Sequence, residues 1–126
     1  MEFVILLLNS DRGNYFYKDA SNIEMTILGD FLTSDVGCHS CSSFKDWVLD
    51  NTQTDASINA TRMEKKGDYI FLSDIYPVMK KPKKLKMSCA QLVQLLDDWK
   101  EKVCALKPKE VMIKYENGQF SIETKD

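Results

Sequence analysis

The strongest constraint on the fold is a turn signal near the end of the chain. Asn117-Gly118 fits a type I′ turn, in which both central residues have positive φ, so it predicts a two-residue hairpin loop. Such a loop pairs apolar residues across the two strands: Tyr115 with Phe120, and Ile113 with Ile122. Turn chemistry and hydrophobic pattern therefore select the same register, and we predict an antiparallel hairpin here.

A long amphipathic helix is predicted immediately before this hairpin. Ser88 and Gln91 are spaced as a capping box, in which each side chain satisfies a backbone amide of the other residue. Apolar residues then recur at helical spacing, at Leu92, Leu96, Trp99 and Val103. Lys107-Pro108 ends the pattern, so the helix is expected to run from about 88 to 106.

The segments before this helix predict further strands. Apolar or aromatic runs at 3–8 and 15–17 predict two strands, and a hairpin is predicted across Gly67. Residues 23–28 fit either a strand or a helix, because six mixed residues do not fix the period. The small polar residues of 33–43 predict a loop.

Together these elements predict a single α+β domain over 1–126. We expect an antiparallel or mixed sheet of about five to seven strands, with the long helix packed on one face. A short helix near 43–50 is expected to be capped by Ser42 or Ser43. The expected core contains apolar residues from the strands and the long helix: Val4, Leu6, Leu8, Phe71, Leu92, Leu96, Trp99, Val103, Ile113 and Ile122.

The N-terminal apolar run predicts a buried strand and not a targeting segment. Six residues cannot span a bilayer, which takes about 20, and Glu2 replaces the basic segment of a signal peptide. We therefore expect a cytoplasmic protein without a membrane partner. In a reducing cytosol the four cysteines are expected to be free thiols: Cys38, Cys41, Cys89 and Cys104.

Cys38-His39-Ser40-Cys41 is the motif that comes nearest to a reactive site. Two thiolates at this spacing can bind one Zn²⁺, but four ligands are usual, and Cys89 and Cys104 lie in or beside the long helix. His39 lacks an evident nucleophile and orienting partner for general base catalysis. We expect no enzyme activity, no cofactor and no metal, and a metal or thiol site at Cys38 and Cys41 remains an alternative.

Acidic residues are concentrated in the first half of the chain. Residues 1–60 carry three bases and nine acids, whereas residues 61–126 carry 14 bases and 10 acids. Five aspartates surround the predicted short helix, where Lys45 is the one base: Asp30, Asp35, Asp46, Asp50 and Asp55. A solvated surface explains them, but an acidic docking face for a cationic protein partner is the functional hypothesis that they support.

A lysine cluster supports the alternative function, which is nucleic-acid or ribonucleoprotein accessory binding. Its members are Lys80, Lys81, Lys83, Lys84 and Lys86, in a segment predicted to be an exposed loop. Lysine without arginine or interleaved aromatic residues reads bases poorly, and the formal net charge is −2. Nucleic acid is therefore not the expected partner.

The second half of the chain resembles a known family. Over about 70–123 it combines a helix reading Leu-x-x-Leu-Leu-x-x-Trp, the link Lys107-Pro108-Lys109-Glu110 and a closing hairpin. This pattern is similar to small bacterial immunity proteins, including those of contact-dependent growth inhibition systems. The resemblance implies a cytosolic protein that neutralises a cognate toxin by tight one-to-one binding. Many such toxins are nucleases with basic clefts, which an acidic face within 30–55 would fit.

Overall fold

The computed structural model describes residues 3–9, 15–20, 23–50, 55–57, 61–74 and 84–125. Within these ranges, eight strands form two four-stranded antiparallel sheets, and three helical segments pack with them. The protein is therefore α+β, as predicted. The expectation of one sheet of about five to seven strands is wrong, because the strands divide equally between two sheets.

The first sheet joins the two ends of the chain in the order β2-β1-β7-β8. Its strands are β1 (Phe3–Asn9), β2 (Tyr15–Ala20), β7 (Glu110–Glu116) and β8 (Gln119–Lys125). Across the β7–β8 hairpin, Tyr115 lies opposite Phe120 and Ile113 lies opposite Ile122. Asn117 and Gly118 have φ of 54° and 77°. The hairpin prediction is thus confirmed in both turn and register.

The second sheet has the order β3-β4-β5-β6. Its strands are β3 (Asp55–Ser57), β4 (Thr61–Lys66), β5 (Tyr69–Asp74) and β6 (Lys84–Ser88). The predicted hairpin across Gly67 is confirmed. Strand β6 corrects the predicted basic loop: Lys84 and Lys86 alternate with Leu85 and Met87, and Met87 is buried. Lys80, Lys81 and Lys83 lie outside the described residues.

The helical segments differ from the predictions mainly before residue 43. Helix α1 (Ile23–Asp30) continues as π-helical turns over Phe31–Val36, so 23–28 is helical and the loop expected over 33–43 is partly wrong. Buried side chains at helical spacing explain this: Leu28, Phe31, Leu32 and Val36. Helix α2 (Cys41–Leu49) confirms the short helix, although Ser40 and not Ser42 or Ser43 occupies its N-cap position.

Helix α3 (Cys89–Asp98) continues as π-helical turns over Trp99–Cys104. The capping box is confirmed, because Gln91 N donates to Ser88 Oγ at 3.0 Å and Ser88 N donates to Gln91 Oε1 at 2.8 Å. Lys107, with φ of 49°, turns the chain towards β7. None of the helices in these described ranges is long and apolar enough to cross a membrane.

The core is formed where α1 and α3 contact strands of both sheets. Six of the predicted core residues are buried: Leu92, Leu96, Trp99, Val103, Ile113 and Ile122. Two are on the wrong face. Leu7 is fully buried while Leu6 is partly exposed, and Ile70 and Leu72 are fully buried while Phe71 is partly exposed. The side chains of Val4 and Leu8 lie outside the description.

Candidate partner-binding surfaces

Helix α2 has a buried side and an exposed side that carries one large apolar residue. Cys41, Phe44 and Val48 are buried, and the helix packs against α3. Asp46 and Leu49 are exposed and three positions apart, which places them on one side of the helix. Leu49 is 59% exposed, although it lies in a helix with a well-packed apolar stripe. The exposed side of α2 therefore presents an apolar side chain next to a carboxylate.

The base closest in sequence to these acids is directed away from them. Lys45 Nζ lies 3.1 Å from Asp97 Oδ1 on α3, and 3.3 Å from Asp97 Oδ2. Both side chains are about two-fifths exposed, so the pair adds little stability. The pair matters for the distribution of surface charge, because the positive charge of Lys45 is balanced by Asp97 on α3 and not by Asp46.

A second lysine fixes the end of α2. Lys65 on β4 donates from Nζ to the main-chain carbonyls of Trp47 at 2.8 Å and Val48 at 3.2 Å, and also to that of Asp50. Its ammonium group lies 4.7 Å from the centroid of the Trp47 indole ring. A cation at this position satisfies the carbonyls that a helix leaves unpaired at its C-terminus. The end of α2 is thus held against the second sheet.

The structure separates the five aspartates that the sequence suggested as a docking face. Asp46 and Asp50 lie on and directly after α2, and both are exposed, as is Asp55 on β3. Asp30 is half-buried at the end of α1, and Asp35 is only 7% exposed in the π-helical turns that follow. Asp35 therefore cannot contribute its carboxylate to a surface, which corrects that part of the predicted face. Partner binding by the others remains a prediction.

Sequence reasoning missed Leu49. In the sequence, Leu49 differs from the other apolar residues of α2 only in lying between Asp46 and Asp50 and outside the apolar stripe. A single leucine at such a position gives no reason to predict a binding site. We define the α2 surface as Asp46, Leu49 and Asp50. Asp55 lies opposite Glu64 in the second sheet and is not part of this surface.

The outer face of the second sheet is a separate surface. Direct cross-strand partners share a face, so Asp55, Glu64, Phe71 and Lys86 form one row. Lys66 and Tyr69 form the next row, and Arg62 and Lys84 belong to a third. We call this set the basic–aromatic face: Asp55, Arg62, Glu64, Lys66, Tyr69, Phe71, Lys84 and Lys86. The opposite face of the same strands is buried at Met63, Ile70, Leu72 and Met87.

Cations and rings alternate on the basic–aromatic face. Lys86 Nζ lies 4.3 Å from the centroid of the Tyr69 ring and 6.0 Å from that of Phe71. Lys66 Nζ lies 5.5 Å from the Phe71 centroid. Tyr69 is 47% exposed. Because an exposed cation–π contact contributes only about 0.5–1 kcal/mol, these lysines do not lock the rings in place.

Glu64 lies within this face and partly neutralises it. Its carboxylate accepts a hydrogen bond from Lys84 Nζ at 2.9 Å and lies 4.0 Å from Arg62 Nε. The hydrogen bond from Lys84 holds the pKa of Glu64 below its ordinary value; burial opposes this, and the charges of Lys84, Arg62 and Lys66 reinforce it. Glu64 is therefore ionised at neutral pH, and the face retains more cations than carboxylates.

The cysteines are not four free thiols. Cys38 and Cys104 form a disulfide that joins the loop before α2 to the end of the α3 helical segment. Cys41 and Cys89 are free, and burial raises the pKa of each thiol. The Cys38–Cys41 alternative loses one thiolate to Cys104. Within the described ranges, no group of three or more histidine, cysteine or acidic side chains is placed to hold a metal ion.

The carbonyl oxygen of Gly37 lies between this disulfide and a buried tryptophan of the core. Gly37 O accepts a hydrogen bond from Trp99 Nε1 at 2.9 Å, and the sulfur atoms of Cys41 and Cys104 each lie 3.7 Å from it. The loop that begins α2 is thus held at one atom by the longest helical segment. His39, in the same loop, is exposed.

Comparisons with known proteins add no identification. No protein-family model matches the sequence, and neither the curated proteins nor the solved structures gave a match.

Proposed function

We propose that this protein is a bacterial immunity protein that neutralises a cognate toxin by direct binding through the α2 surface. The observation that carries the proposal is the exposed Leu49 next to Asp46. Tight interfaces are organised around an apolar anchor with a polar rim. Leu49 supplies the anchor, and Asp46 with Asp50 supplies an acidic rim.

The negative charge of the rim indicates which kind of partner would bind. An acidic rim favours a cationic protein, because charge complementarity speeds encounter and excludes like-charged competitors. A nuclease toxin with a basic active-site cleft has this property, and the resemblance over about 70–123 implies such a partner. The direction of Lys45 towards Asp97 supports this choice, because it keeps that positive charge from offsetting Asp46.

Inhibition of this kind needs no chemistry from the immunity protein. A rigid helix that covers a cleft excludes substrate by occupying its place, and rigidity lowers the entropy lost on binding. Hydrogen bonds hold helix α2 on both sides: Trp99 donates to Gly37 in the loop before it, and Lys65 donates to the carbonyls at its end. We therefore propose that this protein acts as an inhibitor and not as an enzyme.

The experiment uses the toxin domain encoded beside this gene. Co-expression should restore growth of cells that produce the toxin, and calorimetry of the purified pair should give a one-to-one complex. Asp46→Asn with Asp50→Asn should weaken the complex at least tenfold and flatten its dependence on salt. The matched control, Glu101→Gln with Glu116→Gln, removes the same charge from exposed acids elsewhere and should leave affinity within about twofold.

Two outcomes contradict the proposal. The absence of both protection and binding removes the immunity function. An equal loss in both double variants assigns the effect to net charge, so the α2 surface would not be the binding site.

A further inference from the structure

The lysines and aromatic residues of the basic–aromatic face have no role in the immunity function that we propose. It is the side of a four-stranded antiparallel sheet opposite the core-facing side. Its charged and aromatic side chains are exposed or partly exposed, apart from Glu64, which is buried, as is Ser73 on the same side. Two aromatic rings, Tyr69 and Phe71, lie two residues apart on β5, and their side chains point to the same side. Lysines from β4 and β6 border them on both flanks.

We propose that the basic–aromatic face binds single-stranded nucleic acid. Proteins bind single strands by stacking successive bases on aromatic side chains while cations contact the backbone. Here Lys86 Nζ lies 4.3 Å from the Tyr69 centroid, so a phosphate held by Lys86 belongs to a nucleotide whose base can reach that ring. Phe71, with Lys66 and Lys86 near its ring, supplies the second such position.

The structure supplies the components that the lysine run lacks in the sequence. Lys84 and Lys86 are on a strand, and cross-strand pairing places Phe71 beside Lys86. Ser73 lies between Lys84 and Arg62, and both of these side chains approach the Glu64 carboxylate. Arginine and aromatic residues are thus interleaved with the lysines in space. Single strands fit better than a duplex, because stacking on a ring requires an unpaired base.

Glu64 sets the strength of this interaction. Its carboxylate lies in the row between Arg62 and Lys66 and accepts a hydrogen bond from Lys84 at 2.9 Å. Removing its charge should release Lys84 for a phosphate. Glu64→Gln is therefore expected to tighten binding, whereas most surface substitutions would be neutral or weakening.

The test is fluorescence anisotropy with a labelled oligothymidine and a labelled oligouridine of about 12 nucleotides, a length within the usual site sizes. Tyr69→Ala or Phe71→Ala should weaken binding tenfold or more. Lys84→Gln with Lys86→Gln should also reduce the steepness of the plot of log affinity against log salt concentration, by a slope of about 0.7 per lost phosphate contact. The control, Lys100→Gln with Lys109→Gln, removes exposed lysines from other elements and should leave affinity unchanged. Circular dichroism verifies that each variant is folded.

Several results would overturn this proposal. They are no saturable binding at physiological salt, equal affinity for a duplex of the same length, or equal losses in the control variant. Effective competition by polyglutamate together with a neutral Tyr69→Ala result would assign the face to an acidic protein partner. Leu49→Ala should not change oligonucleotide binding, so this inference and the immunity function fail independently.

Discussion

Lys45 on α2 and Asp97 on α3 form a salt bridge with 3.1 Å between Nζ and Oδ1. The pair lies on the side of α2 that contacts α3, whereas Asp46 and Leu49 are exposed to solvent. One lysine is thereby removed from the acidic surface that we assign to partner binding. The relationship links the packing of two helices to the charge of a surface.

Replacing Asp97 with Asn should separate the two consequences of this pair. The free energy of unfolding should fall by less than about 1 kcal/mol, because the pair is partly exposed. Association with the proposed cationic partner should become several-fold slower, since the Lys45 charge is no longer balanced beside α2. Urea denaturation and stopped-flow association measure the two effects. A large loss of stability with unchanged association would contradict this assignment.

Trp99 is expected to be the most costly large side chain to remove. It is 1% exposed, contacts the edge of the Tyr15 ring at 6.0 Å between centroids, and donates to Gly37 O. Trp99→Ala should lower the free energy of unfolding by roughly 3–5 kcal/mol. Trp99→Phe keeps most of the packing and isolates the hydrogen bond. A loss well under 1 kcal/mol for the alanine variant would contradict the burial of Trp99 in the core.

The disulfide predicts a thiol count. Alkylation of the unfolded, unreduced protein should modify two cysteines, Cys41 and Cys89, and reduction should raise the count to four. Cys104→Ser should lower the free energy of unfolding by about 2–4 kcal/mol, because the bond closes a long loop in the unfolded chain. Cys89→Ser is the control and should have a small effect. Four reactive cysteines before reduction would contradict the bond.

Glu64 predicts a pH dependence of stability. Its pKa is lower in the folded protein than in the unfolded chain, mainly because of the hydrogen bond from Lys84. The ionised group therefore stabilises the fold above the unfolded value of about 4.3. This contribution is lost as the pH falls through the lowered folded pKa. The stability difference between wild type and Glu64→Gln should be constant near neutral pH and vanish in acid.

Elements specified by neighbouring residues were predictable from the sequence. The Ser88–Gln91 capping box and the Asn117-Gly118 turn depend on contacts within a few positions, so each appeared as predicted. The division of the strands into two sheets was not predictable in this way, because it depends on which strands pair across long distances in the sequence. The continuous apolar run of β1 and the mixed run of β5 do not fix which alternate residues face the core.

The candidate surfaces depended on the same long-range pairing. Phe71 was expected in the core, but its partners across the sheet are Glu64 and Lys86, and its neighbours Ile70 and Leu72 fill the core instead. Of the five aspartates expected on one docking face, Asp35 is buried. Cys38 and Cys104 are separated by 66 positions, and nothing local in the sequence pairs them.

The affinity of the purified protein for the proposed toxin partner, compared between two leucine variants, tests the central claim most directly. Leu49 and Leu106 are both highly exposed, at 59% and 68%, but only Leu49 lies on the α2 surface. Leu49→Ala should weaken the complex at least tenfold, which corresponds to about 1.4 kcal/mol, and Leu106→Ala should change it by less than twofold. Unchanged affinity in Leu49→Ala, or an equal loss in Leu106→Ala, would contradict an interface anchored on α2.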